Sequence, residues 1–304
     1  MTQPAEIAIS EHTLKPVVSP KELASAIGVS ESSIKRWVDE GMIRAEKTSG
    51  GHRRISLEEV IRYTRDTQTR IVRPELLGLP HEAGTVDPVL TDADATELLH
   101  RHLMEGDAPQ ARGLILSLYL RGRSVAETCD LPLRRAMARI GAMFEHDDAG
   151  VFFEHRATEI CQQALNRLRF IIEPDKRGPV AVGAALGGDT HALSTLAAAT
   201  VMSGEGFHTV NLGADLPLKS LAKAVSVYQP TLAWVSISWV PEEQSVPEVI
   251  QALTDTLGPM GVQTVVGGHA LEGLKLQSEP WMHILKSMTE FVDFARTLSV
   301  VPAE

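Results

Sequence analysis

His191 is the residue whose surroundings say most about chemistry. It sits in Gly187-Gly188-Asp189-Thr190-His191, after the apolar run Pro179-Val180-Ala181-Val182-Gly183-Ala184-Ala185-Leu186 and before an Ala- and Leu-rich stretch at 192–202. The apolar run reads as a buried parallel strand and the Ala-rich stretch as a helix. A loop between a strand end and a helix start is where open α/β sheets bind ligands. Asp189, two residues earlier, is placed to accept a hydrogen bond from one ring nitrogen of His191. That leaves the other nitrogen for a metal. A loop histidine bonded only to its neighbours is the plainer reading of the same residues.

A second group of residues suits nucleic acid. Ser32, Ser33, Lys35 and Arg36 share one short run, and His52, Arg53 and Arg54 follow Gly50-Gly51. Hydroxyls and cations in such a setting can reach phosphates and base edges. Residues 19–73 hold eleven Lys and Arg against eight Asp and Glu, a net of +3; the whole chain is −10, so the remainder carries −13. This asymmetry indicates a basic nucleic-acid-binding module on an acidic body.

The chain has 304 residues, 43% hydrophobic and 22% charged, which suits a soluble globular protein of two or three compact units. It has no apolar run of bilayer-spanning length, and residues 1–10 lack a secretion pattern. Cys129 and Cys161 are the only cysteines, and both fall in helical patterns. A reducing cytoplasm without structural disulfides is the expected setting, with no membrane partner.

The elements that must hold these residues can be read in order. Residues 1–16 read as a loose tail. Ser19-Pro20-Lys21-Glu22 is a capping box with Pro at the first helical position, opening a helix with Leu23, Ala24 and Ile27 on one face. Gly28-Val29 turns the chain, and Ser30 caps a second helix to about Glu40, in which Trp37, flanked by Ile34 and Val38, is expected in the core. Two short helices joined by a tight turn, the second rich in hydroxyls and cations, describe a helix-turn-helix. Gly50-Gly51 suits a hairpin tip, the wing, and Ser56 to Glu59 caps a third helix with Leu57, Val60, Ile61 and Tyr63 inward.

Pro74, Gly78, Pro80, Gly84 and Pro88 mark a linker at 74–91. Helical patterns follow at 93–104, 109–120, 131–145 and 151–172, with connections short enough for a four-helix bundle. Beyond 178, strand patterns at 179–186, 209–213, 232–240 and 263–269 alternate with helical ones at 192–202, 218–228 and 246–257. That alternation predicts an α/β flavodoxin-like (Rossmann) parallel sheet. His208, His269 and His283 read as surface or loop residues. The expected organisation is multidomain: a winged helix-turn-helix at 17–73, a linker at 74–91, a helical bundle at 92–175 and the α/β domain at 176–304.

Three motifs resemble known families. Residues 18–66, with Gly51-His52-Arg53-Arg54 at the wing, resemble the winged helix-turn-helix of the MerR family. Asp189-Thr190-His191-Ala192-Leu193-Ser194 resembles the Asp-x-His-x-x-Gly pattern of cobalamin-binding Rossmann domains, with Ser194 replacing the last glycine. Phe144, followed after nine residues by Glu154-His155, resembles the Trp-x9-Glu-His signature of the helical cap in cobalamin-dependent photoreceptor repressors of the CarH/LitR type. Ile140-Gly141-Ala142-Met143 and Ala157-Thr158-Glu159 resemble that family's context as well.

The resemblance implies roles for particular residues. His191 would coordinate cobalt from below, oriented by Asp189. Phe144 and Glu154, with His155 beside them, would line the upper face where the 5′-deoxyadenosyl group sits. Phe144 keeps an apolar plug but lacks the indole N–H. The next residue, often His in that family, is Glu145 here, with His146 one position on. Ser194 would crowd the nucleotide tail or hydrogen-bond to it. Ser236 or Ser238, with Gly267 and Gly268, would line the slot for the dimethylbenzimidazole tail.

Taken together, the resemblance implies a light-responsive transcriptional repressor that catalyses nothing. In the dark it would bind a double-stranded DNA operator as an adenosylcobalamin-bound homo-oligomer, a tetramer by family resemblance. Light would break the Co–C bond and release the DNA. One rival is a MerR-type regulator sensing a different corrinoid, heme or other tetrapyrrole. The other is a corrinoid methyl-carrier protein, against which the helix-turn-helix argues.

Overall fold

The computed structural model describes residues 15–84, 90–144, 150–172 and 178–299. The chain divides into two compact units, Met1–Val89 with Arg112–Gly122, and Leu90–Ala111 with Arg123–Glu304. Among the described residues, no helix is long and apolar enough to cross a membrane.

The first unit begins with β1 (Val17–Val18), a strand absent from the sequence reading, and α1 (Pro20–Ile27). The capping box forms: the Ser19 N–H donates to Glu22 Oε2 at 2.8 Å and the Glu22 N–H to Ser19 Oγ at 3.2 Å. Gly28, left-handed at φ 78°, ends α1, and Ser30 caps α2 (Glu31–Asp39). β2 (Glu46–Lys47) and β3 (Arg53–Ser56) form the wing hairpin, and β1 pairs antiparallel with the other side of β3. α3 (Leu57–Thr67) follows, capped by Ser56. Leu23, Ile34, Ile55 and Val60 are fully buried between these elements. Residues 74–84, expected as linker, are instead folded into two short 3-10 turns, Pro74–Leu77 and His81–Gly84. Leu77 and Leu79 are fully buried, which removes the freedom a linker needs.

The helices of the middle region are α4 (Asp92–Glu105), α5 (Ala108–Leu120), α6 (Val125–Thr128), α7 (Arg134–Phe144) and α8 (Val151–Ile172). The helix expected at 131–145 therefore starts earlier and is interrupted by a π turn, Cys129–Leu133, that contains Pro132. Proline has no N–H for the regular ladder, and a π turn absorbs the mismatch. In the second unit α4, α7 and α8 pack on one another, and Arg112 onward of α5 belongs to the first unit. Within that first unit the Arg65 guanidinium lies 3.9 Å from the Tyr119 ring centroid.

The α/β portion runs β4 (Val180–Ala185), α9 (Ala192–Gly204), β5 (His208–Asn211), α10 (Leu218–Tyr228), β6 (Leu232–Ser236), α11 (Val246–Leu257), β7 (Gln263–Gly267), β8 (Met282–Ile284) and α12 (Met288–Ser299). All five strands are parallel, in the order β5-β4-β6-β7-β8. The chain leaves β4 toward one edge and returns past it to β6, so the order reverses between β4 and β6. That is the topological switch point, where the carboxyl ends of the strands leave a crevice. The sequence reading missed β8 and α12, and it ran the third strand to 240 where β6 ends at Ser236. Residues 237–241 are loop at the switch point.

Val182, Val235 and Val266 build the sheet core with Leu221 and Leu253 from the helices. Trp234 is 2% exposed and packs against Gly183, where a Cβ would come within 2.1 Å of its ring. Two histidines need correction. His208 is on β5 with a buried Nδ1, and His283 is on β8, its Nε2 2.9 Å from Gln263 Oε1 and its ring 4.0 Å from that of Phe294. His269 is exposed, as read.

Candidate functional site

His191 stands at the N-cap position of α9, on the loop leaving β4. Its Nδ1 lies 2.8 Å from Asp189 Oδ1, and its backbone N–H donates to the same oxygen at 3.0 Å. Asp189 Oδ2 accepts the Ser238 N–H at 2.6 Å and the Trp239 N–H at 3.4 Å, both from the loop after β6. Asp189 is thus 2% exposed yet satisfied on both oxygens. Burial alone would raise its carboxyl; the hydrogen bonds from the His191 ring, the His191 N–H and the Ser238 N–H together hold it below the ordinary value. His191 is raised by its bond to Asp189, against burial, with the charges of Asp189 and Glu154 adding to the rise. An ionised Asp189 fixes the proton on Nδ1 and points Nε2 away as the free Lewis base.

The structure separates the two serines that the sequence left as alternatives. Ser238 is engaged, its N–H on Asp189 and its hydroxyl 2.9 Å from that of Ser194. Ser236 is 6% exposed, and its hydroxyl has no hydrogen-bond partner. It lines a small cavity with Leu186, Gly187, Val240, Pro241 and Gln244. A buried hydroxyl left unpaired costs about 1–3 kcal/mol, and such a group in a cavity wall is suited to a polar ligand atom. Gly267 and Gly268 lie opposite, Gly267 in register with Ser236. Gly268 has φ 131°, and a Cβ there would sit 2.3 Å from the Ile237 carbonyl, so protein packing already demands that glycine. At Gly188 a Cβ would meet Pro241 at 2.6 Å, so the β6 loop closes tightly over the His191 loop.

At the start of α8, Glu154 is half-buried and within electrostatic reach of His191, whereas His155 is exposed. Phe144 at the end of α7 stacks on Phe153, with centroids 4.9 Å apart and planes 7° apart. Phe152 adds to this group at 4.0 Å from Phe153 and is 54% exposed, and Met143 is 56% exposed. Arg156 anchors the cluster. Its guanidinium lies 5.3 Å from the Phe153 centroid, and its Nη2 donates to the Met104 carbonyl at 2.6 Å, closing the end of α4. Exposed Phe152 and Met143 beside the half-buried Phe144 and Phe153 mark a surface that suits an apolar partner. Glu145 and His146 lie outside the described residues.

In the first unit, Ser32, Lys35 and Arg36 are exposed on α2 and His52 and Arg54 on the wing, while Ser33 is half-buried. Ser30 Oγ lies 2.7 Å from Ser32 Oγ and 2.8 Å from Ser33 Oγ, so both hydroxyls join the helix cap. Lys35 pairs with Glu31 at 2.8 Å, Arg36 with Glu40 at 3.9 Å, and Arg53 with Asp39. Trp37 packs on Tyr63, rings 5.5 Å apart, but stays half-buried at the edge of the core rather than inside it. Glu59 and Arg62 on α3 fix the chain after α2. The Arg44 N–H donates to Glu59 at 2.7 Å, and Arg62 reaches both Glu59 and the Met42 carbonyl.

Sequence reasoning gave no role to Arg156, to Asp215 in Gly213-Ala214-Asp215-Leu216-Pro217, or to Asp130. Asp130 accepts the Met288 and Thr289 N–H groups at 2.7 and 2.9 Å, capping α12 from the π turn. Only a three-dimensional pairing between distant segments reveals that role. Asp215 carried a local mark, an aspartate among turn residues after a strand.

Comparison with known proteins matches two stretches of the chain and its fold. Residues 95–169 match a family model described as "B12 binding domain", and residues 17–67 match one described as "Helix-turn-helix domain". No curated protein matches the chain. Among solved structures, the monomethylamine corrinoid protein of Methanosarcina barkeri is 15% identical, with a TM-score of 0.50 over 69% of this chain and 100% of its own. A cobalamin-binding protein from Desulfitobacterium hafniense is 17% identical, with a TM-score of 0.32 over 68% of this chain and 98% of its own. The first of these likenesses establishes a shared fold; the second is too distant to build on. The chain therefore combines a helix-turn-helix domain with a B12 binding domain and a parallel α/β sheet.

Proposed function

We propose that this chain is a corrinoid-binding, DNA-binding transcriptional regulator, and more specifically a light-responsive repressor that uses adenosylcobalamin. The observation that carries the reading is the His191–Asp189 pair at the switch point, in a chain that also holds a helix-turn-helix. Three features suit a corrinoid. A half-exposed His191 leaves Nε2 available as a donor, Ser236 offers an unpaired hydroxyl in a cavity, and the Phe144–Phe153 stack offers an apolar wall.

Adenosylcobalamin, when bound, supplies a Co–C bond that visible light breaks. His191 would hold the group through Nε2, and Asp189 keeps its ring in one orientation through the bond at Nδ1. Phe144, Phe152 and Phe153, with Glu154 nearby at the start of α8, would shield the bound group from water. On this reading α4, α7 and α8, which pack on one another, act as a helical cap whose position depends on what those aromatics touch. Ser32, Lys35 and Arg36 meet the major groove of DNA, while Arg53 and Arg54 meet phosphates. A single helix-turn-helix binds weakly, so copies held together gain through effective concentration what a separated copy loses. Light then acts as a population shift away from the assembled form.

A methyl carrier would have no use for the helix-turn-helix, so the regulator is the reading to test. A duplex selected in the dark from a random pool on the adenosylcobalamin-loaded chain is the probe. Retention of that duplex in the dark, its release under green light and a fall in apparent mass on sizing are expected. Equal retention with and without adenosylcobalamin and light would contradict the proposal.

A further inference from the structure

Among the described residues, three non-glycine residues have left-handed backbone, Gln68, Asp215 and Gln229. Gln68 and Gln229 end helices α3 and α10, an ordinary place for that conformation. Asp215, at φ 54°, ends no helix; it lies in the turn between β5 and α10. Its backbone N–H donates to the Asp189 carbonyl at 2.9 Å, and its Oδ1 accepts the Gly188 N–H at 2.7 Å. One residue thus grips the His191 loop at two successive residues. The grip sits on a stitched frame, with the Ala185 N–H on the Gly213 carbonyl at 2.9 Å and the Leu216 N–H on the Ala185 carbonyl at 3.0 Å.

We infer that Asp215 is a positioning residue for His191. The inference rests on the reading of His191 as the axial donor to a corrinoid. Asp189 supplies the hydrogen-bond partner of the His191 ring, and the ring is half exposed, so its direction follows the backbone that carries Asp189. A ligand must be held within about 0.5 Å and 10–20° of its productive geometry. The Asp215 carboxylate fixes the Gly188 amide, and its left-handed backbone aims its own N–H at Asp189. Residues that orient a metal ligand typically change affinity by about 10–100-fold when lost. Asp215 acts one residue further out, which puts the expected loss near the lower end.

Three variants of the full chain separate the carboxylate from the backbone. Asp215→Asn keeps an acceptor and tolerates the left-handed region; Asp215→Gly keeps the backbone and removes the acceptor; Asp215→Ala removes the acceptor and strains the turn. Hydrogen–deuterium exchange of the 187–191 segment is measured without cobalamin. Dark titration with hydroxocobalamin gives affinity, and the nitrogen splitting in the EPR spectrum of the cob(II)alamin-loaded chain reports the axial imidazole. The inference predicts that Asp215→Asn matches the parent. Asp215→Gly should exchange faster at that segment, bind about tenfold more weakly and show a heterogeneous or lost nitrogen splitting. Parent-like affinity and splitting in Asp215→Gly would make Asp215 a turn residue only and overturn the inference. If the parent binds cobalamin without a splitting that His191→Ala abolishes, or binds none, the underlying reading fails and this inference with it.

Discussion

The Ser194 hydroxyl lies 2.9 Å from the Ser238 hydroxyl. The one residue that departs from the Asp-x-His-x-x-Gly pattern is therefore held by the loop after β6. The same Ser238 donates its N–H to Asp189, so Ser194 belongs to the network behind His191. Replacing Ser194 with glycine removes a hydrogen bond and adds backbone entropy within the first turn of α9. A cost of about 1–2 kcal/mol is expected, read by chemical denaturation. Cobalamin affinity should stay within a few-fold of the parent. A gain of about tenfold, equal to about 1.4 kcal/mol, would show instead that the hydroxyl obstructs the ligand.

The helix proposed to face DNA, α2, is electrically restrained. Residues 31–40 hold Lys35 and Arg36 against Glu31, Asp39 and Glu40, a net of −1. Exposed pairs contribute little stability, but each carboxylate also repels a phosphate. Asp39→Asn and Glu31→Gln should each strengthen binding of the full chain to a mixed-sequence duplex. Each should also steepen the dependence of log K on log salt by up to about 0.9. Arg54→Ala should weaken binding and flatten that slope by about the same amount. Fluorescence anisotropy across a salt series is the measurement.

The capping box of α1 makes a pH prediction. Glu22 is lowered from 4.5 to about 2, first by the Ser19 N–H, then by Lys15 and the Ser19 hydroxyl. A carboxylate lowered in the folded state adds stability that is fully present above its unfolded value and is lost as pH falls through its folded value. The first unit should therefore lose stability between pH 4.5 and about 2, the interval that Glu22 spans. Glu22→Gln should be less stable than the parent at neutral pH, with the gap closing toward pH 2. Thermal unfolding followed by circular dichroism over that range checks it.

Much of this molecule was legible because its chemistry is local. Gly187 to His191 follows an apolar strand directly, and the capping residues Ser19, Ser30 and Ser56 announce the helices of the first unit. What was missed depends on distant pairing. β1 is two residues long and exists through β3, and β8 is three residues that pair with β7 amid polar sequence. Leu77 and Leu79 look like linker until the core that buries them is in place. The different surroundings of Ser236 and Ser238 could not be read from alternation along a strand, because β6 ends at Ser236 and the loop beyond it brings the Ser238 N–H to Asp189.

The central claim is that His191 presents Nε2 to a corrinoid. The most direct test mixes the purified chain with adenosylcobalamin in the dark, desalts it and records the absorbance spectrum before and after green light. The account predicts retained cobalamin in the parent, a spectral change on illumination, and loss of retention in His191→Ala without loss of helical content. Equal retention by parent and His191→Ala, or no cobalamin surviving desalting in either, would contradict it.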